Sequence, residues 1–284
     1  MRHKNSRMPR AFFAILAFPL VFSGCSPNNV TIDDSLGRYF DSAGVKGTFG
    51  LFDNGHGHFT IFNLPGYRDS FYSPGATFDI LQSLIAIQTG VVKDDSSKLP
   101  TDYPADLPKL DIPANFGQDF RDTGSFNELA FLALSFDIKR DTLKKWIDSL
   151  QYGNRKIGDS AEFWSNGALK INCDEQLGLL KKLYFNQLPF LARTQEIVCR
   201  MMQTESNSVY RLSYKTAESK KEDGQRIGWV MGWVEENKHP YFFVVNLESA
   251  DGAKDLRQTG DLRQTGLVIA KKILQQDGFF EGKK

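Results

Sequence analysis

The 284-residue sequence has no surplus of either charge: 35 Lys and Arg stand against 34 Asp and Glu, for a net charge of +1. That balance removes the case for a nucleic-acid partner, which needs a basic surface. Histidine and cysteine are scarce. The four histidines, His3, His56, His58 and His239, and the three cysteines, Cys25, Cys173 and Cys199, show no metal-ligand spacing, and nothing in the sequence asks for a cofactor. The N-terminal apolar run from Ala11 to Phe22 falls short of the about 20 residues that a membrane-spanning helix needs.

That run sits in a recognisable frame. MRHKNSRMPR supplies a basic start, AFFAILAFPLVF an apolar stretch, and SGC a small-residue cleavage site, so residues 1–24 are expected to be an export signal. Phe22-Ser23-Gly24-Cys25 resembles a bacterial lipobox, which would make Cys25 the lipidated first residue of the mature chain, with SPNNVTIDD, ending at residue 34, as its tether. The alternative is an ordinary secretory signal with an incidental cysteine. The expectation is a protein anchored by lipid on the periplasmic side of a membrane or at the cell surface. Cys173 and Cys199 then form an even pair in an oxidising compartment: either a disulfide or two buried free thiols.

The stretch KGTFGLFDNGHGHFTIF, Lys46 to Phe62, alternates apolar and polar about Asn54-Gly55, which predicts a β-hairpin with His56 and His58 near its tip. From Thr77, the residues Ile80, Leu81, Leu84, Ile85 and Ile87 recur at helical spacing up to Gly90, a left-handed C-cap. Their face is wide, so this helix is expected to be mostly buried. Residues 93–125 lack strong periodicity and read as a loop excursion. Helices follow at 126–150 and 174–186, the second with Asp174 as N-cap. Strands are expected at 208–215, 226–235 and 240–248, and a last helix near 266–276. The order predicts an α+β domain over residues 35–284: an antiparallel sheet assembled from both ends of the chain, flanked by helices, with a helical region over about 92–200. The tandem DLRQTG at 255–260 and 261–266 is too short for a solenoid and lengthens the connection into the last helix.

From about Leu36 to Phe279 the chain resembles the class D (oxacillinase-type) serine β-lactamases and, more distantly, the penicillin-binding transpeptidases. GVKGTFGLFD resembles the first strand of that fold, and YSPGATFD stands where the family has Pro-x-Ser-Thr-Phe-Lys. Tyr152-Gly153-Asn154 matches a Tyr-Gly-Asn triplet, and FWSNGALKI is similar to a Phe-Trp segment. Lys215-Thr216-Ala217 stands at Lys-Thr-Gly, and GWVMGWVEENKHPYFFVVN follows the strand pair beyond it. The markers occur in family order.

The resemblance implies a nucleophilic serine at the start of the buried helix and, one turn later, a lysine carboxylated on its amine that serves as base. Residues i and i+3 share a helix face, so the two meet in one pocket. Here those positions hold Ala76 and Asp79. Ala76 has no nucleophile. Asp79 has a carboxylate on a stem too short for that base, and reads more simply as an acid favoured by the helix dipole at its N-terminus. Ser73 and Thr77 are the nearest hydroxyls; one precedes the helix and the other points off the Ala76 face. Ser125 of Ser125-Phe126-Asn127 is either the family's second serine or a helix cap. Tyr152 fits the triplet, and Trp164 stands where the family steadies the carboxylated lysine, though a core aromatic is the plainer reading. Lys215 and Thr216 are implied to hold a substrate carboxylate. Ala217 in place of glycine is expected to crowd the ligand's edge. Arg257 or Arg263, each in an LRQ context, completes carboxylate recognition or is simply solvated.

These residues point first to an exported relative without catalysis that binds a cell-wall peptide, a β-lactam or a protein partner. The alternatives are a rewired β-lactam or peptidoglycan amide hydrolase using Asp79 as a base for water, and an interaction domain with no small ligand. Restoring serine and lysine at 76 and 79 is expected to leave folding intact, on the reading that both sites lie at the polar mouth of the helix.

Overall fold

The structure is a computed structural model that describes residues 29–98, 116–121, 125–250 and 260–284. The signal segment, Cys25 and Arg257 lie outside them. Seven strands form one sheet: β1 (Val30–Ile32), β2 (Lys46–Asp53), β3 (His58–Phe62), β4 (Gln203–Ser206), β5 (Tyr210–Lys220), β6 (Arg226–Glu236) and β7 (His239–Glu248), in the order β1-β3-β2-β7-β6-β5-β4. The predicted hairpin is present, closed in register at Asp53↔His58. Its turn is held by the Asp53 carboxylate, which accepts from the Gly55 and His56 amides at 2.8 and 3.1 Å. The sheet is not wholly antiparallel. Val30–Ile32, placed in the tether by sequence, pairs parallel to β3 and makes the sheet mixed.

The helices are α1 (Gly37–Ser42), α2 (Leu64–Arg68), α3 (Asp79–Thr89), α4 (Phe116–Arg121), α5 (Ser125–Ile138), α6 (Arg140–Ser149), α7 (Cys173–Tyr184), α8 (Ala192–Met202) and α9 (Leu262–Gln276). They lie on both faces of the sheet, which is why β6 and β7 are buried at nearly every position rather than at alternate ones. One core joins the sheet to the α3–α8 side through Phe78, Leu81, Trp229 and Phe242. The other packs Ile269, Ile273 and Leu274 of α9 and Phe40 of α1 against Val230, Phe243 and Val245. Gly266 allows the closest part of that approach, since a Cβ there would stand 2.8 Å from Val230.

Several elements differ from the sequence reading: the strand expected over 208–215 runs from Tyr210 to Lys220, and the stretch read as a loop over 93–125 contains α4. The helix expected over 126–150 is two helices, broken at Lys139 with a φ of 71°. α7 is capped by Asn172 in a reciprocal capping box with Glu175, not by Asp174. α9 starts at Leu262 because the Asp261 carboxylate accepts from the Arg263 and Gln264 amides; the second DLRQTG copy is therefore a helix start as well as a spacer.

Cys173 and Cys199 are both free thiols. Burial pushes the Cys173 thiol well up and Cys199 up to about 12, so neither carries thiolate near neutrality. We expect the native domain from residue 29 onward to react only slowly with dithiobis(nitrobenzoate) at pH 8 and both thiols to react at once in denaturant. A mass 2 Da below the reduced value would instead reveal a disulfide.

Candidate functional site

The site is built where the turn Gly75–Phe78 leads into α3 and lies against the part of β5 beyond its pairing with β4. Gly75 takes a φ of +55°, and a Cβ there would stand 2.4 Å from the Glu218 carbonyl oxygen of β5. Its N–H donates to the Trp164 carbonyl at 2.8 Å. Glycine is required on both counts, conformation and approach, and the result is that Ala76 and Asp79 are delivered to the sheet edge.

Ala76 and Asp79 share a cavity of about 350 Å³ with Phe131, Trp164, Ser219 and Lys220 on its walls. Asp79 is not at a polar mouth. It is 1% exposed, at the first position of a helix whose residues Asp79 to Ile87 are all buried. Its carboxylate lies 2.9 Å from Lys215 Nζ, and Lys215 is itself 3% exposed. The ammonium also donates to the Phe120 carbonyl at 2.5 Å and sits 4.4 Å from the Phe120 ring centre and 5.5 Å from that of Phe131. A dipole acid at a helix terminus, the simpler sequence reading, is thus only part of its setting: Asp79 is the counter-ion of a buried lysine.

On the other side of Lys215 is a second cavity of about 190 Å³, lined by Lys215, Thr216, Arg121, Tyr214, Asp261 and Arg263 among others. Thr216 is 5% exposed, and its Oγ1 has no hydrogen-bond partner among the described residues. Arg263 binds Asp261 with two prongs, Nε at 3.1 Å and Nη2 at 3.2 Å. Burial pushes the Asp261 carboxyl up, but the hydrogen bonds and charge of Arg263 outweigh this and hold it below the usual carboxylate range.

The structure thus gathers Ala76, Asp79, Trp164, Lys215, Thr216 and Arg263 about one stretch of β5. It sets other candidates apart. Tyr152 donates at 3.4 Å to Gln176, which donates at 2.8 Å to Thr77, so its hydroxyl is in a core network behind α3; burial pushes its pKa up. Thr77 in turn donates to the Pro74 carbonyl at 2.7 Å. Ala217 does not crowd either cavity: it is fully buried in the core, opposite Trp229 in the strand register. Ser73 is buried, and its carbonyl accepts from Ser219 and from the Trp229 indole at 2.9 Å each. Trp164 has both of its expected characters, lining the Ala76 cavity while stacking on Phe78 at 5.4 Å. Ser125 opens α5, but its side chain lies outside the described residues, as does Arg257.

Sequence reasoning missed Glu218 and Arg226. Buried Arg226 pairs with the Glu218 carboxylate and donates to the Gly260 carbonyl at 2.9 Å, while Glu218 accepts from the Leu262 amide at 2.7 Å. This clamp fixes the end of β5 to the start of α9, and with it the spacing of Thr216 and Arg263. An Arg-Ile pair in a strand carries no signal of that burial. Phe120 was read as loop, and its carbonyl could not be foreseen as a ligand of Lys215.

Comparison with known proteins agrees with this geometry. The sequence profile described as "Penicillin binding protein transpeptidase domain" matches residues 66–275. Beta-lactamase OXA-20 of Pseudomonas aeruginosa is 30% identical over 93% of this chain and 96% of its own. Regulatory protein BlaR1 of Bacillus licheniformis is 28% identical over 89% of this chain but only 40% of its own length. Among solved structures, the class D β-lactamase YbXI from Nostoc superposes with a TM-score of 0.73 at 28% identity, covering 87% of this chain and 99% of that one. The C-terminal domain of the Bacillus licheniformis BlaR penicillin-receptor gives 0.73 at 25% identity, covering 89% and 98%. With the profile matched over residues 66–275 and class D relatives covered almost end to end, the chain belongs to the penicillin-binding transpeptidase domain family, in its class D β-lactamase-like branch.

Proposed function

We propose that this protein is a non-catalytic member of that family, an exported lipoprotein held at a membrane through Cys25, whose cleft binds a β-lactam or a carboxylate-bearing cell-wall peptide without reacting with it. The observation that carries the reading is the pairing of Asp79 with Lys215 beside Ala76. The position of the nucleophile bears a methyl group, and the position of the base bears a carboxylate already engaged by a buried ammonium. Members of such a unit act together, and losing one removes most of the rate, on the order of a millionfold. The relatives named β-lactamase suggest the ligand class. The penicillin-receptor relative suggests that binding rather than turnover is a use to which this fold is put.

Two features of the geometry speak against Asp79 as a base for water. Protonating it would strip Lys215 of its counter-ion in a buried setting, a loss of several kcal/mol. Its Oδ2 is also turned to the Lys215 ammonium, at 2.9 Å.

The test is the intact mass of the domain after exposure to benzylpenicillin, together with turnover of a chromogenic cephalosporin. The expected outcome is an unchanged mass and no hydrolysis above buffer. A stable adduct, or hydrolysis abolished by Asp79→Ala, would establish the enzyme instead. Mass spectrometry of membrane-extracted protein tests the anchor: a lipid-modified Cys25 at the N-terminus supports it, and an unmodified N-terminus elsewhere rejects it.

A further inference from the structure

We infer that Asp79 and Asp261 are internal stand-ins for a ligand carboxylate, holding Lys215 and Arg263, two of the three cations that line the cavity beside Thr216, so that ligand binding is a competition with the chain's own acids. The inference rests on the binding reading above and adds what limits that binding.

The observations come from both sides of β5. Lys215 and Arg263 line the same cavity of about 190 Å³, and Thr216 between them is a buried hydroxyl without a hydrogen-bond partner among the described residues. Buried hydroxyls are ordinarily hydrogen-bonded, and a ligand oxygen in this cavity would bond Thr216. Three cations, Arg121, Lys215 and Arg263, and a hydroxyl lining one small cavity suit a carboxylate. Yet Lys215 and Arg263 are already engaged. Asp79 reaches Lys215 at 2.9 Å from the far side, out of the Ala76 cavity. Asp261 binds Arg263 with both oxygens from within the small cavity. The two engagements differ in depth. Asp79 and Lys215 are almost wholly buried, whereas Asp261 and Arg263 keep side-chain exposures of 43% and 24%. Of these two, Arg263 is therefore the cation that a ligand carboxylate can capture with less rearrangement, and Asp261 is its gatekeeper.

The two roles of Asp261 can be separated. Asparagine caps a helix about as well as aspartate, so Asp261→Asn keeps the start of α9 while releasing the charge of Arg263. Binding of benzylpenicillin and of its uncharged methyl ester is measured by calorimetry on the natural protein and on Asp261→Asn. The expected result is a gain in affinity of about tenfold or more for the acid in the variant, with the ester unaffected. As a second arm that does not depend on α9, Asp79→Asn should gain about 2–4 °C more than the natural protein does from the same concentration of benzylpenicillin, because the ligand then supplies the missing negative charge. Equal affinity of natural protein and variants for the acid overturns the competition and leaves the binding reading standing. Absence of binding in every form overturns both.

Discussion

Replacing Asp79 with alanine is expected to destabilise the domain by about 3–5 kcal/mol, because it leaves Lys215 buried without its counter-ion. For a chain of this size that is a large share of the whole stability. The same logic predicts that Lys215→Met alone is costly, and that Asp79→Leu with Lys215→Met together is close to neutral, since a well-packed apolar pair avoids the desolvation that the ions suffer. The ring faces of Phe120 and Phe131 about Lys215 already offer an apolar lining for the methionine. Urea denaturation of the natural protein, Asp79→Leu, Lys215→Met and the double variant closes a double-mutant cycle that measures the coupling. A coupling below about 0.5 kcal/mol would mean that the pair is incidental, and the reading of Asp79 as a counter-ion would fall with it.

The fold was legible because its signals are local and repeated. The Asn-Gly hairpin, the apolar periodicity of α3 and the long β-branched and aromatic runs of β5 to β7 each predict one element, and the class D markers tie those elements into one order. What escaped the sequence was set by contacts distant in the chain. Val30–Ile32 is too short to announce a strand, and is one only because β3 offers it an edge. The break at Lys139 lies inside a run whose composition suits a continuous helix. At the site, the positions of Ala76, Asp79, Lys215 and Thr216 could be read from motifs, but not their pairing. Lys215 lies 136 residues beyond Asp79, and nothing in either motif says that a lysine reserved for a ligand turns back to an aspartate. Tyr152 and Ala217 fail in the same way: the motif gives the place in the chain, while the direction of the side chain depends on how α3 and β6 pack around it.

That pairing also reverses an expectation about repair. Restoring the family residues by Ala76→Ser with Asp79→Lys looks harmless if both positions are solvated, but Asp79 is buried against an ammonium. The introduced lysine would remove the counter-ion of Lys215, at about 3–5 kcal/mol, and would add a second positive charge in the same enclosure. The melting temperature of the double variant should therefore fall by on the order of 10 °C, whereas Ala76→Ser alone, at a partly exposed position lining the cavity, should fall little. Carbon dioxide changes the outcome. The family resemblance implies that a lysine at this position becomes carboxylated on its amine, which would return a negative charge beside Lys215 and so replace the charge that Asp79 supplied. Bicarbonate should then raise the melting temperature of the double variant by several degrees and leave the natural protein unmoved. Any acylation by benzylpenicillin should appear only in the same buffer. A double variant as stable as the natural protein without bicarbonate, or one that bicarbonate does not stabilise, would show that charge balance with Lys215 is not what fixed aspartate at position 79.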